Sequence, residues 1–336
     1  MISGMIECVP NISEGRNNRI VEKLSEVVEK TSGVKLLHVD SGFDTNRTVF
    51  TLAGMPEVIE AAVFSLVQQA VRSIDMRKHR GSHPRIGAVD VIPLIPLDPV
   101  KTGACITMSH GLAERIWREL EVPVYLYGKA AGSPHRVRLP DIRKGQYEAL
   151  KEKMEHDAWK PDYGNRFNEK SGATVIGVRD FMLAYNVNLD TTAVQKARYI
   201  AGRIRSSGYT EIDQSGEVLK RTPGILPFCQ ADGWYLPEYG YCQVTMNLHN
   251  LSVTGFHHAF EAVKRMAEAL GVGVRGSELI GMTPLAALTE TGRYYLQDKD
   301  ASDKEAIEEA VRSLGLNDSA PFDPNRRIVE YRLADM

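Results

Sequence analysis

The chain has 336 residues, 43 % apolar and 25 % charged, and carries 41 basic against 43 acidic side chains for a formal net charge of −2. Those proportions belong to a folded globular protein and exclude a disordered or fibrous one. No basic block exceeds the short run at Arg77, Lys78 and Arg80, and no apolar run approaches the ~20 residues of a membrane helix, so neither nucleic acid nor membrane is an expected partner. The four cysteines, Cys8, Cys105, Cys229 and Cys242, lack C-x-x-C spacing. That argues against a zinc module or a disulfide framework and, with an N-terminus unlike a signal peptide, predicts a soluble cytoplasmic protein.

In chain order, Met5–Val9 reads as a short apolar strand followed by a polar turn through Asn11 to Gly15. Ile20, Val21, Leu24, Val27 and Val28 recur at helical spacing, and Gly33 ends that helix before an apolar strand over Val34–Val39. A turn over Asp40 to Asn46 leads into a β-branched strand, Thr48–Leu52, and Gly54 and Pro56 open a long helix to Ile74. Its predicted inner face is Val58, Ala61, Ala62, Leu66 and Ala70. A buried strand over Ala88–Ile95, a helix over Leu112–Leu120 and a strand over Val122–Tyr127 follow. Between Leu139 and Gly172 the periodicity fails, and a connector with one helix, Gln146–Glu155, is expected. The boundary is placed near residue 180, giving subdomains over residues 1–180 and 181–336.

The second half repeats the order of elements. Phe181–Leu189 reads as a strand, Thr191–Ser207 as a helix with Val194, Ala197, Ala201 and Ile204 inward, and Ile225–Leu236 as a broken strand. Cys242–Leu248 alternates, and Thr254–Leu270 is a helix with Phe256, Phe260, Val263 and Ala267 on one stripe. Ser302-x-x-Glu305 is a capping box for a last helix to Leu314. Two β-α-β-β-α-β units of ferredoxin-like order account for this symmetry, an α+β fold.

The segment from Ile74 to Asp90 places His79 and His83, several basic residues, Gly81, Gly87 and Pro84 between a helix and a strand. A loop so pinned is suited to present side chains to a ligand. His79 and His83 are four apart, but Gly81 and Pro84 interrupt a helix there, and a metal site is not expected. His83 is either a structural histidine or a general acid/base, its ordinary pKa of about 6.5 lying near working pH. Arg85 beside it could clamp a carboxylate and disfavour the protonated ring. Asp40 and Arg47 bracket the preceding turn, where Asp40 could orient a histidine and Arg47 hold a carboxylate, while Asp44 and Asn46 read as turn residues. No phosphate-binding glycine motif and no nucleophile elbow is present.

The chain resembles the glutamate formiminotransferases. The resemblance runs through Glu7-Cys8-Val9-Pro10-Asn11-Ile12-Ser13-Glu14-Gly15, Thr45-Asn46-Arg47-Thr48-Val49, Ile74-Asp75-Met76 and His83-Pro84-Arg85-Ile86-Gly87-Ala88. Trp159-Lys160-Pro161-Asp162, Gly172-Ala173-Thr174, Ala184-Tyr185-Asn186-Val187-Asn188-Leu189, Gly233-Trp234-Tyr235-Leu236 and Gly276-Ser277-Glu278-Leu279-Ile280-Gly281 continue it in order. It implies two α/β subdomains with a substrate tunnel between them, a homodimer, and transfer of a formimidoyl group between N-formimidoyl-L-glutamate and N5 of tetrahydrofolate. It implies His83 as the catalytic acid/base, Asp40 as a nearby active-site aspartate, and a folate-contacting loop near Gly164 to Gly172 and Ala173. In animals the family is fused to a cyclodeaminase, so a separate deaminase partner is conceivable here. Ser82 stands where the family usually has Glu, and His38 where an acidic residue is common. The loss of a carboxylate beside His83 would lower its pKa and alter which glutamate derivative is accepted. Formyl transfer from N-formylglutamate, and folate binding without turnover, are the alternatives.

Overall fold

A computed structural model describes residues 4–97, 99–213 and 215–334. The chain divides into two compact units, one ending at Asp180 and the other beginning at Phe181. The first runs β1 (Ile6–Cys8), β2 (Asn11–Ile12), α1 (Asn18–Glu29), β3 (Val34–Gly42), β4 (Arg47–Gly54), α2 (Pro56–Ser73), β5 (Val89–Pro96), α3 (Thr102–Leu120), β6 (Val124–Gly128), α4 (Leu139–Arg143), α5 (Leu150–Glu155) and β7 (Thr174–Val178). β3 pairs antiparallel with β4; β1 and β2 lie in succession between β4 and β5, antiparallel to both; β7 and then β6 extend the sheet in parallel with β5.

Alternation along the central strands separates two cores. Ile92, Leu94, Val124, Leu126 and Ile176 turn toward α1, α2 and α3, while Val91, Tyr125, Tyr127 and Val175 pack with Ile142, Leu150 and Met154 of α4 and α5. The inner stripe of α2 is Ile59, Ala62, Val63, Leu66, Val67 and Ala70, with Val58 half-buried and Ala61 exposed. It is rotated about one residue from the expected face, because apolar residues surround much of this helix and the sheet selects among them.

The second unit runs β8 (Leu183–Leu189), α6 (Val194–Ile204), β9 (Tyr209–Ile212), β10 (Val218–Thr222), β11 (Cys229–Leu236), β12 (Tyr241–Leu248), α7 (Phe256–Ala269), β13 (Val274–Ile280), α8 (Leu285–Leu296) and α9 (Asp303–Leu314), then short C-terminal helices. Its sheet has the order β11-β12-β8-β13, all antiparallel, and β9 and β10 pair separately. Leu183, Tyr185, Val187 and Leu189 of β8 with Cys242, Val244, Met246 and Leu248 of β12 meet α6 and α7 on one face. The Ser302/Glu305 capping box opens α9 as expected.

Several boundaries differ from expectation. The helix expected from Gln146 begins only at Leu150, since Gln146 takes φ 56°, outside the helical region. α3 starts at Thr102, ten residues earlier than expected, with Gly103 in its first turn and Gly111 in its interior. The broken strand expected from Ile225 starts at Cys229, after Phe228 at φ 55°. No element was expected for β7, the β9–β10 hairpin or α8.

Candidate active site

The loop joining α2 to β5 docks on the turn between β3 and β4. The Ser82 amide and hydroxyl both donate to the Asp44 carbonyl, at 3.0 and 3.2 Å. The Asn46 side chain donates to the Arg80 carbonyl at 2.9 Å and accepts from the Gly15 amide at 3.0 Å. A Cβ on Gly81 would lie 2.2 Å from the Thr45 carbonyl oxygen, so only glycine permits this approach. At its far end the loop is held by Ser13, whose hydroxyl donates to Gly87, and by Ala88, whose amide donates to Ser171. Two backbone segments are thereby fixed against one another, each carrying a basic group toward the same point.

That point is the contact between the Arg47 guanidinium and Nε2 of His83. The arginine can only donate, so Nε2 is the acceptor and the ring is neutral. Burial, then the positive charges of Arg47 and Arg143, push the His83 pKa down to about 2. Arg47 itself is lowered to about 10 by burial and by Arg143, with Asp90 and Asp40 opposing. Arg143, at the end of α4, is ion-paired to Asp90, a residue 1 % exposed whose other oxygen accepts from the Ile86 amide at 2.9 Å. Ser13, Thr45, Asn46, Arg47, His79, His83, Arg85 and Asp90 line one narrow cleft, closed tightly around the Arg47–His83 contact. Arg47 beside a neutral imidazole in a partly desolvated cleft, with Arg143 nearby on Asp90, has the chemistry to pair with a carboxylate.

Arg85 was expected to bear on His83, but it points elsewhere. Its guanidinium makes a double contact with Glu148 at 2.6 and 2.8 Å, a further bond to Gln146, and through Nε donates to Nδ1 of His79 at 3.2 Å. Hydrogen bonding from Arg85 holds the Glu148 carboxyl down at about 2. His79 must then carry its proton on Nε2, which donates to the Asn46 carbonyl at 2.9 Å. Burial lowers its pKa, and Arg85 adds to that. Glu148, Arg85 and His79 therefore brace the carbonyl of the residue preceding Arg47. Asn46 sits at φ 47°, which asparagine tolerates better than most side chains.

Asp40 lies half-buried on β3 opposite Val49, and among the described residues no hydrogen bond joins its carboxylate to His83; its charge acts on Arg47 instead. Gly172 and Ala173 are buried against the root of the histidine loop. Gly172, at φ 68°, comes so close to Ile86 that a Cβ would stand 2.1 Å from its carbonyl oxygen, and the Ala173 amide donates to that oxygen at 3.1 Å. Gly164 follows Tyr163, whose backbone pairs with Val124. Ser82 is exposed and turned onto Asp44. Asp90 was read only as part of a buried strand, and Arg143 and Glu148 fell in the connector, so none of the three was singled out in the sequence.

Among the described residues no group of three or more His, Cys, Asp or Glu side chains could hold a metal ion. No helix among them is long and apolar enough to cross a membrane.

The family model described as formiminotransferase domain, N-terminal subdomain, matches residues 5–179, and that described as formiminotransferase domain matches residues 184–334. A glutamate formimidoyltransferase of Streptococcus pyogenes is 40 % identical over 297 residues, covering 88 % of this chain and 94 % of that one. Its counterpart in Thermoplasma acidophilum is 38 % identical, covering 87 % and 92 %. A formimidoyltransferase-cyclodeaminase of Rattus norvegicus is 43 % identical over 99 % of this chain, which spans 61 % of that protein's length. With both subdomain models matched in order over nearly all of its length, the chain belongs to the formiminotransferase family.

Proposed function

We propose that this protein is a glutamate formimidoyltransferase, moving a formimidoyl group between N-formimidoyl-L-glutamate and N5 of tetrahydrofolate, its co-substrate. The observation that carries this reading is the contact of Arg47 with Nε2 of a neutral His83. In the free protein the arginine occupies the lone pair that a general base needs. A substrate carboxylate drawn to Arg47 neutralises its charge, frees Nε2 and raises the His83 pKa. His83 then takes the proton that N5 loses as the N5–carbon bond forms. It returns that proton to the glutamate nitrogen as the old carbon–nitrogen bond of the tetrahedral intermediate breaks. Such transfer contributes about 10²–10⁴-fold. Asp40 serves as counter-charge to Arg47, and Arg85 acts by bracing the loop.

The proposal includes two ferredoxin-like subdomains, supported by the order β3-β4-β1/β2-β5 in one unit and β11-β12-β8-β13 in the other. The substrate tunnel, the homodimer, a folate loop at Gly164, Gly172 and Ala173, and a possible separate cyclodeaminase follow from the family. A reducing cytoplasmic setting is supported by four buried, unpaired cysteines. The test is turnover of tetrahydrofolate with N-formimidoyl- and N-formylglutamate side by side. Formation of 5-formimidoyl-folate in clear preference to the 5-formyl product is expected, and the reverse preference would make the protein a formyltransferase.

Two further results are expected. His79→Leu removes the brace on Asn46 and leaves Arg85 without its ring partner. We expect kcat/KM for the glutamate donor to fall about tenfold with the folate KM unchanged, and His79→Gln, which keeps a donor, to lose less. Equal loss in both variants would reduce His79 to packing. For Ser82→Glu, the exposed position on Asp44 predicts a donor ratio within about twofold of wild type and an unshifted pH profile. A shifted acidic limb would show that this side chain does reach His83.

A further inference from the structure

The connector that carries α4 and α5 has no long regular element, yet it returns to the histidine loop twice. Arg143, the last residue of α4, pairs with Asp90, while the Tyr147 amide donates to the Arg85 carbonyl and Glu148 pairs with the Arg85 guanidinium. The backbone alone does little to fix this stretch. α4 has five residues and α5 six, too few to be stable through their own hydrogen bonds. Gly145 at φ 89° and Gln146 at φ 56° turn the chain between them. Burial of Ile142, Leu150 and Met154 holds both helices in the core, but apolar contact is non-directional and does not aim a guanidinium.

What aims it is a lysine. The last turn of a helix leaves carbonyls without helical partners, and Lys153 Nζ, reaching back from α5, donates to three of them. The acceptors are Asp141 at 2.9 Å, Ile142 at 2.7 Å and Lys144 at 3.1 Å. An ammonium has three N–H donors, and here each finds a carbonyl. The same nitrogen stands 3.9 Å from the centre of the Trp159 ring, whose face attracts a cation. The three carbonyls lie on both sides of Arg143 in the chain, so the bonds fix the backbone from which its side chain leaves.

We infer that Lys153 is a positioning residue: by gathering the carbonyls around Arg143 it holds that guanidinium on Asp90 and so sets the charge about Arg47 and His83. The inference rests on the functional reading above and lies wholly within the first unit. Asp90 is 1 % exposed, and a carboxylate so buried is costly without its partner. Arg143 is also one of the two positive charges that keep His83 neutral, so its departure raises the pKa of the ring. Lys153 carries a signature of its own. Burial depresses its pKa to about 8, with Asp141 opposing and Lys144 adding, while Asp157, beside Trp159, is ion-paired to Lys160 instead. A neutral amine has two N–H donors for three carbonyls, so the turn loosens as pH rises through about 8. Unfolding is not the cause of a decline there. Between about 8 and the unfolded value of about 10.4 the unfolded chain binds the extra proton, so this group's contribution to stability grows with pH.

The test joins pH profiles of kcat/KM for transfer with histidine ring titrations by NMR on the same whole proteins, His83 being identified by its absence from His83→Ala. The wild-type rate is expected to decline with an apparent pKa of about 8. Lys153→Met should lose that limb, fall about tenfold near neutral pH and show His83 titrating at higher pH than in the wild type. Lys153→Gln, which keeps two N–H donors, should lie between, and Lys151→Met, exposed on the same helix, should change none of these. An unchanged His83 titration in a folded Lys153→Met protein overturns the proposal, whatever its rate, because the lysine then acts by packing alone. So does an alkaline limb equally present without the lysine, and, should that variant not fold, so does a wild-type rate that stays flat from about pH 7 to 10. Absence of transfer by the wild type removes the functional reading instead, and the His83 titration still decides whether Lys153 sets the charge there.

Discussion

His83→Ala lowers kcat by on the order of 10²-fold or more, with little change in the folate KM. The imidazole is an uncharged nitrogen base in direct contact with Arg47, and the loop carrying it is held by backbone bonds to Asp44, Ser171 and Ala173 that the substitution leaves in place. The fold should therefore survive. A second readout comes from its titration. Folded His83 has its pKa depressed to about 2, while the unfolded side chain titrates near 6.5. Between those values the unfolded chain binds the extra proton, so stability is full above about pH 6.5 and is lost as pH falls toward 2. Removing the ring should flatten that acid limb, measured as Tm against pH for the two proteins. Near-normal kcat in a folded variant would remove His83 from the mechanism.

Arg47→Met is expected to raise KM for the glutamate donor by about 10- to 100-fold, the worth of a lost charge-assisted carboxylate contact. It should also change the pH profile in a direction that distinguishes it from a merely structural defect. The base must be neutral in the free enzyme, and kcat/KM declines below its pKa. Wild-type His83 is held down at about 2, chiefly by burial and next by Arg47. With that charge gone its pKa rises, so an acid limb absent above about pH 4 in the wild type should appear at higher pH. A raised KM with no new acid limb would separate Arg47 from His83 electrostatically and leave it as a binding group alone.

Much of this architecture was legible from periodicity. The stripe Phe256, Phe260, Val263 and Ala267 is buried as read, and α6 buries Ala197, Ala201 and Ile204. These helices face one apolar sheet with one apolar side, so the 3.6-residue repeat carries the information. The His83 loop was legible because Gly81, Pro84 and Gly87 punctuate it. Its wiring was not. Arg85 lies two residues from His83, yet its partner Glu148 is 63 residues away in sequence, and the ring it bonds is His79. Arg143 meets Asp90 across 53 residues, from a connector with no periodicity. The strand Thr174–Val178 is five buried residues between Gly172 and Arg179, too short and too uniformly apolar to show an alternation. On the second sheet Asn186 and Asn188 lie in a quoted family motif, but their burial was not foreseen. Asn186, Asn188 and Gln243 look like the solvated side of alternating strands, and only their burial sets them apart.

The most direct measurement follows the carbon. Purified protein is given tetrahydrofolate and N-formimidoylglutamate labelled with ¹³C at the formimidoyl carbon, and the label is followed by NMR. The resonance should move to the 5-formimidoyl-folate position in step with the release of free glutamate, and should stay on the donor in the His83→Ala protein. A label that remains on glutamate in the wild type, or that appears as a free hydrolysis product without becoming bonded to folate, would contradict transfer as the function of this chain.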